Sequence, residues 1–121
     1  PDDVTRTVRT MVDGGHRAAA TVSPTPAHYT PHKTLTVEDG TIGFYLEGGA
    51  GHSLRQTIPD YFHRNGICYC VTRQALMEAG EILEQDCAAV IITRPVVNID
   101  EPFELELAEF LLDRQNSAGQ Q

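Results

Sequence analysis

The residue types in this chain that are best suited to chemistry are a set of cations and one carboxylate–amide pair. The cations that stand out are Lys33, Arg55, His63, Arg64 and Arg73. An arginine fork holds a carboxylate or a phosphate with two hydrogen bonds, so this set predicts an anion-binding site. Scattered surface cations, which are common in soluble proteins, are the competing interpretation.

The carboxylate–amide pair is Asn98 and Asp100, which follow an apolar segment and precede a helical pattern. In an open α/β sheet, ligands bind beyond the carboxyl ends of the strands. A carboxylate at that place suits Mg²⁺, which prefers one or two carboxylates together with substrate phosphates. A plain helix N-cap is the competing interpretation of Asp100, because aspartate often takes that role.

The elements that must position these residues are an alternating series of helices and strands. Helices are predicted over residues 2–13 and 73–79, and a last helix is predicted after a cap at Asp100 or Glu101. Strands are predicted over residues 18–23, 67–72 and 87–93, with Asn65-Gly66 as a turn into the second of them. Asp39-Gly40 predicts a hairpin between residues 34–37 and 41–46. The alternation favours an α/β layered fold.

Two of the predicted helices carry apolar residues at helical spacing. In the first they are Val4, Val8, Met11 and Val12, and in the last they are Phe103, Leu107, Phe110 and Leu111. Residues 116–121 are small and polar, which predicts a disordered tail.

The composition restricts the class of protein. The chain has 121 residues, of which 40% are hydrophobic, and this fits one modest domain. Its formal net charge of −8 disfavours unspecific binding to nucleic acid or to anionic membranes. No apolar run approaches the roughly 20 residues that a membrane span needs. The 3 cysteines lack framework spacing, which favours free thiols and a reducing, cytoplasmic setting.

Motifs in a fixed order give the chain a resemblance to a known family. Residues 55–69 resemble a pattern of Arg-Gln, then Pro, then an aromatic and basic pair, then Asn-Gly-Ala-Ile-Tyr. Upstream, residues 31–35 resemble a Pro-x-Lys segment, and downstream, residues 98–100 resemble Asp-Ile-Asp, followed by Ala-Glu at 108–109. In this order the motifs resemble those of the CMP-sialic acid synthetases, or acylneuraminate cytidylyltransferases.

The resemblance implies a fold and an activity. The fold is a Rossmann-like nucleotidyltransferase α/β fold, here partial, with residues 1–115 as its C-terminal portion and about 34–62 as an inserted dimerisation hairpin. The activity is transfer of CMP from CTP to an acidic nonulosonic sugar such as N-acetylneuraminate, with release of pyrophosphate. The implied cofactor is Mg²⁺, and the implied assembly is a homodimer in which the partner subunit completes the sugar pocket.

The resemblance also implies roles for individual residues. It implies that cations bind the sugar carboxylate and the phosphates, and that Gln56 and Asn65 orient sugar hydroxyls or the backbone. These cations are Lys33, Arg55 and Arg64, and His63 is a further substrate-binding residue in the set that the resemblance implies. Ile82 and Leu83 stand where the family has apolar contacts donated by the partner subunit. Asp100 and Asn98 are the implied metal ligands.

The chain departs from the family pattern in three places. Asn98 stands where the family often has a metal-binding aspartate, and His63 stands where arginine is common. The Gly-, Arg- and Lys-rich loop that holds the CTP triphosphate has no counterpart in this sequence. These departures keep open an alternative function, which is a non-catalytic dimerisation or acidic-sugar-binding module derived from such an enzyme.

Overall fold

The computed structural model describes residues 2–48, 58–82 and 86–118. Within these ranges the protein is mixed α/β, with a three-stranded mixed sheet and a separate two-stranded hairpin. The elements in chain order are α1 (Asp2–Asp13), β1 (Ala18–Pro24), β2 (Leu35–Glu38), β3 (Thr41–Phe44), β4 (Phe62–Val71), α2 (Arg73–Ala79), β5 (Cys87–Ile91) and α3 (Pro102–Ala118). Two short 3₁₀ turns, Ala27–Tyr29 and Pro31–Lys33, lie between β1 and β2. The expected α/β class is confirmed.

Strand β1 is the centre of the larger sheet. It pairs antiparallel with β4 on one side and parallel with β5 on the other. Its alanines, Ala18, Ala19 and Ala20, are at most 3% exposed, and their small side chains let α1 approach the sheet closely. Because β1 and β5 are parallel, their carboxyl ends lie at the same edge of the sheet. This edge is where a ligand site is expected in an α/β protein.

Helix α1 has the predicted bounds but buries a different face. The residues buried against the sheet are Thr7 and Met11, whereas Val4, Val8 and Val12 are exposed. A threonine tolerates this burial because its hydroxyl donates a 2.7 Å hydrogen bond to the carbonyl of Asp3. The valine positions of the predicted apolar series therefore do not belong to the core of the described fold.

The predicted hairpin is confirmed. Strands β2 and β3 pair antiparallel, and the turn residues Asp39 and Gly40 have φ angles of 49° and 75°. A two-residue hairpin turn with both φ values positive matches the twist of its strands, which explains the Asp-Gly sequence.

The remaining helices differ in how far the sequence predicted them. Helix α2 is confirmed: it begins after Thr72, whose hydroxyl accepts from the backbone amide of Ala75 at 3.2 Å, and it ends at Gly80 with a φ of 69°. Helix α3 continues to Ala118. The predicted tail is therefore corrected at its start, because residues 116–118 continue the helix. Residues 102–118 include no buried side chain.

Candidate functional site

A cleft lies at the edge where the parallel strands β1 and β5 end. It encloses about 770 Å³ and is bounded by the carboxyl end of β1, the start of β4, the segment after β5 and one side of α3. Its polar lining includes Ser23, Thr25, His63 and Asn98. Its apolar wall comes mainly from the segment after β5 and includes Ile92, Pro95, Val96 and Val97. The cleft therefore has the position in the fold, the volume and the mixed polar and apolar lining that are typical of a small-molecule pocket.

A bulge in β4 forms beside this cleft. Ala20 pairs with Tyr69 and Val22 pairs with Arg64, so β4 places residues 65–68 opposite the single residue Thr21. A bulge of this kind breaks the ladder and redirects side chains, and bulges are common next to functional sites. The predicted turn at Asn65-Gly66 is thus an internal bulge of a strand that begins earlier, at Phe62.

The side chain of Asn65 holds the bulge against β1. Its oxygen accepts from the hydroxyl of Thr21 at 2.7 Å and from the backbone amide of Ile67 at 3.3 Å. Its nitrogen donates to the hydroxyl of Ser23 at 2.9 Å. The residue is 5% exposed. Of the two roles implied for Asn65, these contacts match the orienting of the backbone, and its contact with a sugar hydroxyl stays a prediction.

Gly66 and Asn98 are in contact across the cleft edge. Gly66 has a φ of +74°, and a Cβ atom built on it would lie 2.9 Å from the Oδ1 atom of Asn98. The two motifs that contain these residues are separate segments of the sequence. The fold therefore brings the Asn-Gly motif and the segment 98–100 to one place.

Asp100 is held through its side chain and its backbone. Its carboxylate accepts a 2.6 Å hydrogen bond from the side-chain nitrogen of Asn98. The carboxylate of Glu104 accepts from the backbone amides of Asp100 and Glu101, at 2.7 and 2.8 Å. Glu104 thus caps α3 in the manner of a capping box, with Pro102 as the first helical residue. The sequence predicted that Asp100 or Glu101 would cap this helix, whereas in the structure the side chain of Glu104 supplies the capping hydrogen bonds.

The predicted cations that lie within the described ranges are not gathered at one point. His63 lines the cleft, and its Nδ1 atom lies 3.1 Å from the hydroxyl of Thr25. Arg64 pairs with Val22, one register position from the pair His63–Ser23. Since neighbouring residues of a strand point to opposite faces, Arg64 faces away from His63. Lys33 is half-buried at the end of the second 3₁₀ turn and is not among the cleft-lining residues.

Four of the predicted substrate-binding residues lie either outside the described ranges or away from the cleft. Ile82 follows α2, is 50% exposed and does not line the cleft. Arg55, Gln56 and Leu83 lie outside the described residues, so their predicted roles stay predictions.

Arg94 is a cleft residue that the sequence argument missed. It lines the cleft, and its guanidinium binds both carboxylate oxygens of Asp3 on α1, at 3.3 and 2.5 Å. The hydrogen bond from Arg94 lowers the pKa of Asp3 below its ordinary value. This pair ties the first turn of α1 to the segment after β5. The signal that could have found Arg94 is its position directly after an apolar, parallel-type strand.

Asp100 and Asn98 are residue types that could hold a Mg²⁺ ion whose other ligands are water or phosphate oxygens. Among the described residues, no group of three or more His, Cys, Asp or Glu side chains is arranged to hold a metal. Mg²⁺ does not need such a cage, because it keeps waters and takes one or two protein carboxylates beside the phosphates. Asp100 supplies one exposed carboxylate, and Asn98 is in hydrogen-bond contact with it.

The three cysteines, Cys68, Cys70 and Cys87, are free and partly buried. Burial raises the pKa of the Cys70 and Cys87 thiols, so both stay protonated at neutral pH.

No protein-family model and no curated protein matches this chain. The resemblance to the CMP-sialic acid synthetases therefore depends on the ordered motifs. None of the described helices is long and apolar enough to cross a membrane.

Proposed function

We propose that this chain is the C-terminal, acidic-sugar-binding part of a cytidylyltransferase with a Rossmann-like nucleotidyltransferase fold. Such an enzyme transfers CMP from CTP to the anomeric hydroxyl of an acidic nonulosonic sugar, such as N-acetylneuraminate, and releases pyrophosphate. The observation that carries the proposal is that His63 and Asn98, which belong to separate motifs in the sequence, line one cleft, and that Gly66 lies against the Asn98 side chain.

The position and lining of the cleft support a sugar ligand. Its volume of about 770 Å³ is within the usual range of small-molecule sites. Hydroxyl and imidazole groups of Ser23, Thr25 and His63 face an apolar wall, and this combination suits a sugar with polar substituents on one side and carbon–hydrogen surface on the other. Among the described residues, His63 is the predicted substrate-binding residue that lines the cleft, beside Asn98 of the predicted metal pair, so the proposal assigns the sugar to His63 first.

The proposed reaction is a displacement at phosphorus. The sugar hydroxyl oxygen bonds to the α-phosphorus of CTP, the bond from that phosphorus to the bridging oxygen breaks, pyrophosphate leaves, and the hydroxyl proton passes to solvent water. Such transfers depend mainly on positioning and on neutralising charge. Lys33, Arg55 and Arg64 are the cations that the resemblance assigns to the carboxylate and the phosphates, and of these Lys33 and Arg64 do not line the described cleft. Asp100 and Asn98 would hold Mg²⁺, which neutralises charge on the phosphates when it is bound.

The hairpin supports the proposed homodimer. Leu35 pairs with Phe44 and Val37 pairs with Ile42, so these four side chains lie on one face of the ribbon. Each of them is between 46 and 70% exposed. A two-stranded ribbon with an uncovered apolar face is marginally stable by itself. A second copy of the chain is the proposed cover. The three free cysteines agree with the cytoplasmic setting that the proposal includes.

The test of this function is pyrophosphate release by the full-length protein. The protein is incubated with CTP, Mg²⁺ and, in separate reactions, N-acetylneuraminate, another nonulosonic acid and 3-deoxy-octulosonate. We expect release with a nonulosonic acid, and we expect Asp100→Ala to abolish it. The matched control is Asp113→Ala, which removes an exposed carboxylate from α3. Release with 3-deoxy-octulosonate alone would change the substrate class, and no release with any acid would refute the function.

A non-catalytic acidic-sugar-binding module is the second candidate. Asn98 favours it, because an amide in place of a carboxylate leaves the predicted metal site with one charge fewer. This candidate predicts that calorimetry detects sugar binding whether or not CTP is present, and that no pyrophosphate is formed. The enzyme predicts turnover, so the same preparation distinguishes the two.

A further inference from the structure

We propose that the bulge at Asn65-Gly66 positions Asp100, with Asn98 as the positioning residue between them. Gly66 leaves the space that the Asn98 side chain occupies, and Asn98 donates to the Asp100 carboxylate at 2.6 Å. The catalytic meaning of this inference rests on the proposed function, because there Asp100 is the residue that holds the metal. The contact itself is independent of that function.

The backbone conformation and the available space each restrict the residue at position 66, and glycine satisfies both restrictions. Its φ of +74° disfavours most side chains, although asparagine and aspartate tolerate such angles. The second requirement is space, since any Cβ atom at this position would lie 2.9 Å from the Oδ1 atom of Asn98 and 3.7 Å from its Cγ atom. The first distance is shorter than a relaxed contact allows. A side chain at position 66 therefore displaces Asn98 or the bulge.

The bulge is the less movable of these two. Asn65 is 5% exposed and bonds to Thr21 and Ser23, which are 0 and 9% exposed on the central strand. Moving the bulge would break hydrogen bonds between buried groups, which is costly. Asn98 is exposed and lies in a segment without regular structure. A Cβ atom at position 66 therefore acts mainly on Asn98.

A displacement of Asn98 reaches Asp100 directly. The amide of Asn98 is the donor to the Asp100 side chain, while Glu104 fixes the Asp100 backbone through its amide. With the backbone held, the direction of the carboxylate depends on Asn98. This gives Asn98 a positioning role beside the metal-binding role proposed for it, and an amide can fill the positioning role because it is a hydrogen-bond donor.

A double-mutant cycle of unfolding in urea tests the contact in the full-length protein. Gly66→Ala is made with Asn98 present and with Asn98→Ala. We expect Gly66→Ala to lower the urea midpoint more when Asn98 is present. In the Asn98→Ala background, position 98 has no Oδ1 atom with which the new Cβ atom at position 66 could collide. The matched control is Gly15→Ala, where φ is +67° and no atom lies within 4 Å of the added Cβ. Its effect should be equal in both backgrounds. Equal effects of Gly66→Ala in both backgrounds would overturn the inference.

The dependence of turnover on Mg²⁺ tests the positioning role. We expect Gly66→Ala and Asn98→Ala each to lower turnover roughly 100-fold at low Mg²⁺, as misplacement by about 1 Å can do. We expect the KM for CTP and the turnover of Gly15→Ala to stay as in the wild type. Asn98→Ala leaves the bulge intact, so its result stands if Gly66→Ala fails to fold. Wild-type turnover of Asn98→Ala at all Mg²⁺ concentrations would overturn the positioning role.

The urea cycle and the Mg²⁺ dependence of turnover together distinguish a failure of this inference from a failure of the proposed function. If the wild type releases no pyrophosphate, the function fails and with it the positioning role in catalysis. The urea cycle then still decides whether Gly66 and Asn98 are in contact.

Discussion

The hydroxyl of Thr21 donates a 2.7 Å hydrogen bond to the side-chain oxygen of Asn65, and both residues are buried. The same hydroxyl accepts from the backbone amide of Cys68 at 3.0 Å. Thr21→Val keeps the shape of the side chain but leaves the amide without its acceptor and Asn65 with one donor fewer. We expect the free energy of unfolding to fall by about 1–3 kcal/mol. Equilibrium unfolding in urea measures this loss.

The control for this prediction is Thr10→Val on α1. The Thr10 hydroxyl also donates to the protein, to the carbonyl of Arg6 at 2.9 Å, but the site is exposed to solvent. Water replaces the lost partner there, so we expect a change within about 0.5 kcal/mol. An equal loss in both variants would contradict the role of Thr21 in holding the bulge.

The bulge marks a limit of prediction from the sequence. Asn-Gly signals a positive φ, and Gly66 has one, so the local conformation was predictable. Whether the pair ends a strand or bulges within it depends on Thr21 and Ser23, which bond to Asn65 from 44 and 42 positions away. Distant side chains that fill a bulge leave no local pattern, so the start of the predicted strand was placed too late.

Asn98→Asp should strengthen Mg²⁺ binding. It places a second carboxylate close to that of Asp100, because in the wild type the side-chain nitrogen of Asn98 lies 2.6 Å from the Asp100 carboxylate. Two adjacent carboxylates repel one another without a cation and share one readily. We expect a lower thermal midpoint than the wild type without metal, and a larger rise of that midpoint on adding Mg²⁺. Thermal unfolding over a Mg²⁺ series measures both effects.

The same substitution on α3, Asn116→Asp, is the matched control. Asn116 is exposed on α3, away from Asp100 in the sequence, and we expect its Mg²⁺ response to equal that of the wild type. If Asn98→Asp responds no more than this control does, the pair of residues 98 and 100 is not a metal site.

The site also divides into predictable and unpredictable members. His63, Asn98 and Asp100 were predicted by residue type and by position in a motif. Glu104 had a local signal that was passed over, namely a glutamate at the third position of a helix that begins with proline. Arg94 had no local signal for its partner, because Asp3 is 91 positions away and the pair forms only when α1 packs on the sheet.

Acid should remove the contribution of Asp86 to stability. Asp86 directly precedes β5, and its carboxylate lies 2.7 Å from the Nδ1 atom of His16 and accepts from the backbone amide of Arg17 at 3.2 Å. The hydrogen bond with His16 is the main cause that lowers the pKa of Asp86. A pKa that is lower in the folded state means stability that is present above the unfolded value, near ~4, and lost as the pH falls through the folded value.

Asp86→Asn isolates this contribution. We expect the wild type to have the higher urea midpoint between about pH 5 and 7, by roughly the small amount of an exposed ion pair, and the difference to shrink below about pH 4. His16→Ala removes the same hydrogen bond from the other side and should show the same pH window. A difference that stays constant from neutral to strongly acidic pH would contradict the linkage.

The apolar face of the hairpin should control the oligomeric state. Val37 and Ile42 face each other on that side of the ribbon and are 70 and 64% exposed. If a second copy covers them, Ile42→Lys buries a charge in the interface, which costs several kcal/mol unless the charge is paired. We expect sedimentation to show a dimer for the wild type and a monomer for Ile42→Lys. The control is Thr36→Lys, because Thr36 pairs with Gly43 on the opposite face and should leave the dimer intact. A wild type that is monomeric at all concentrations, or a dimer that is unaffected by Ile42→Lys, would show that this face does not join two copies.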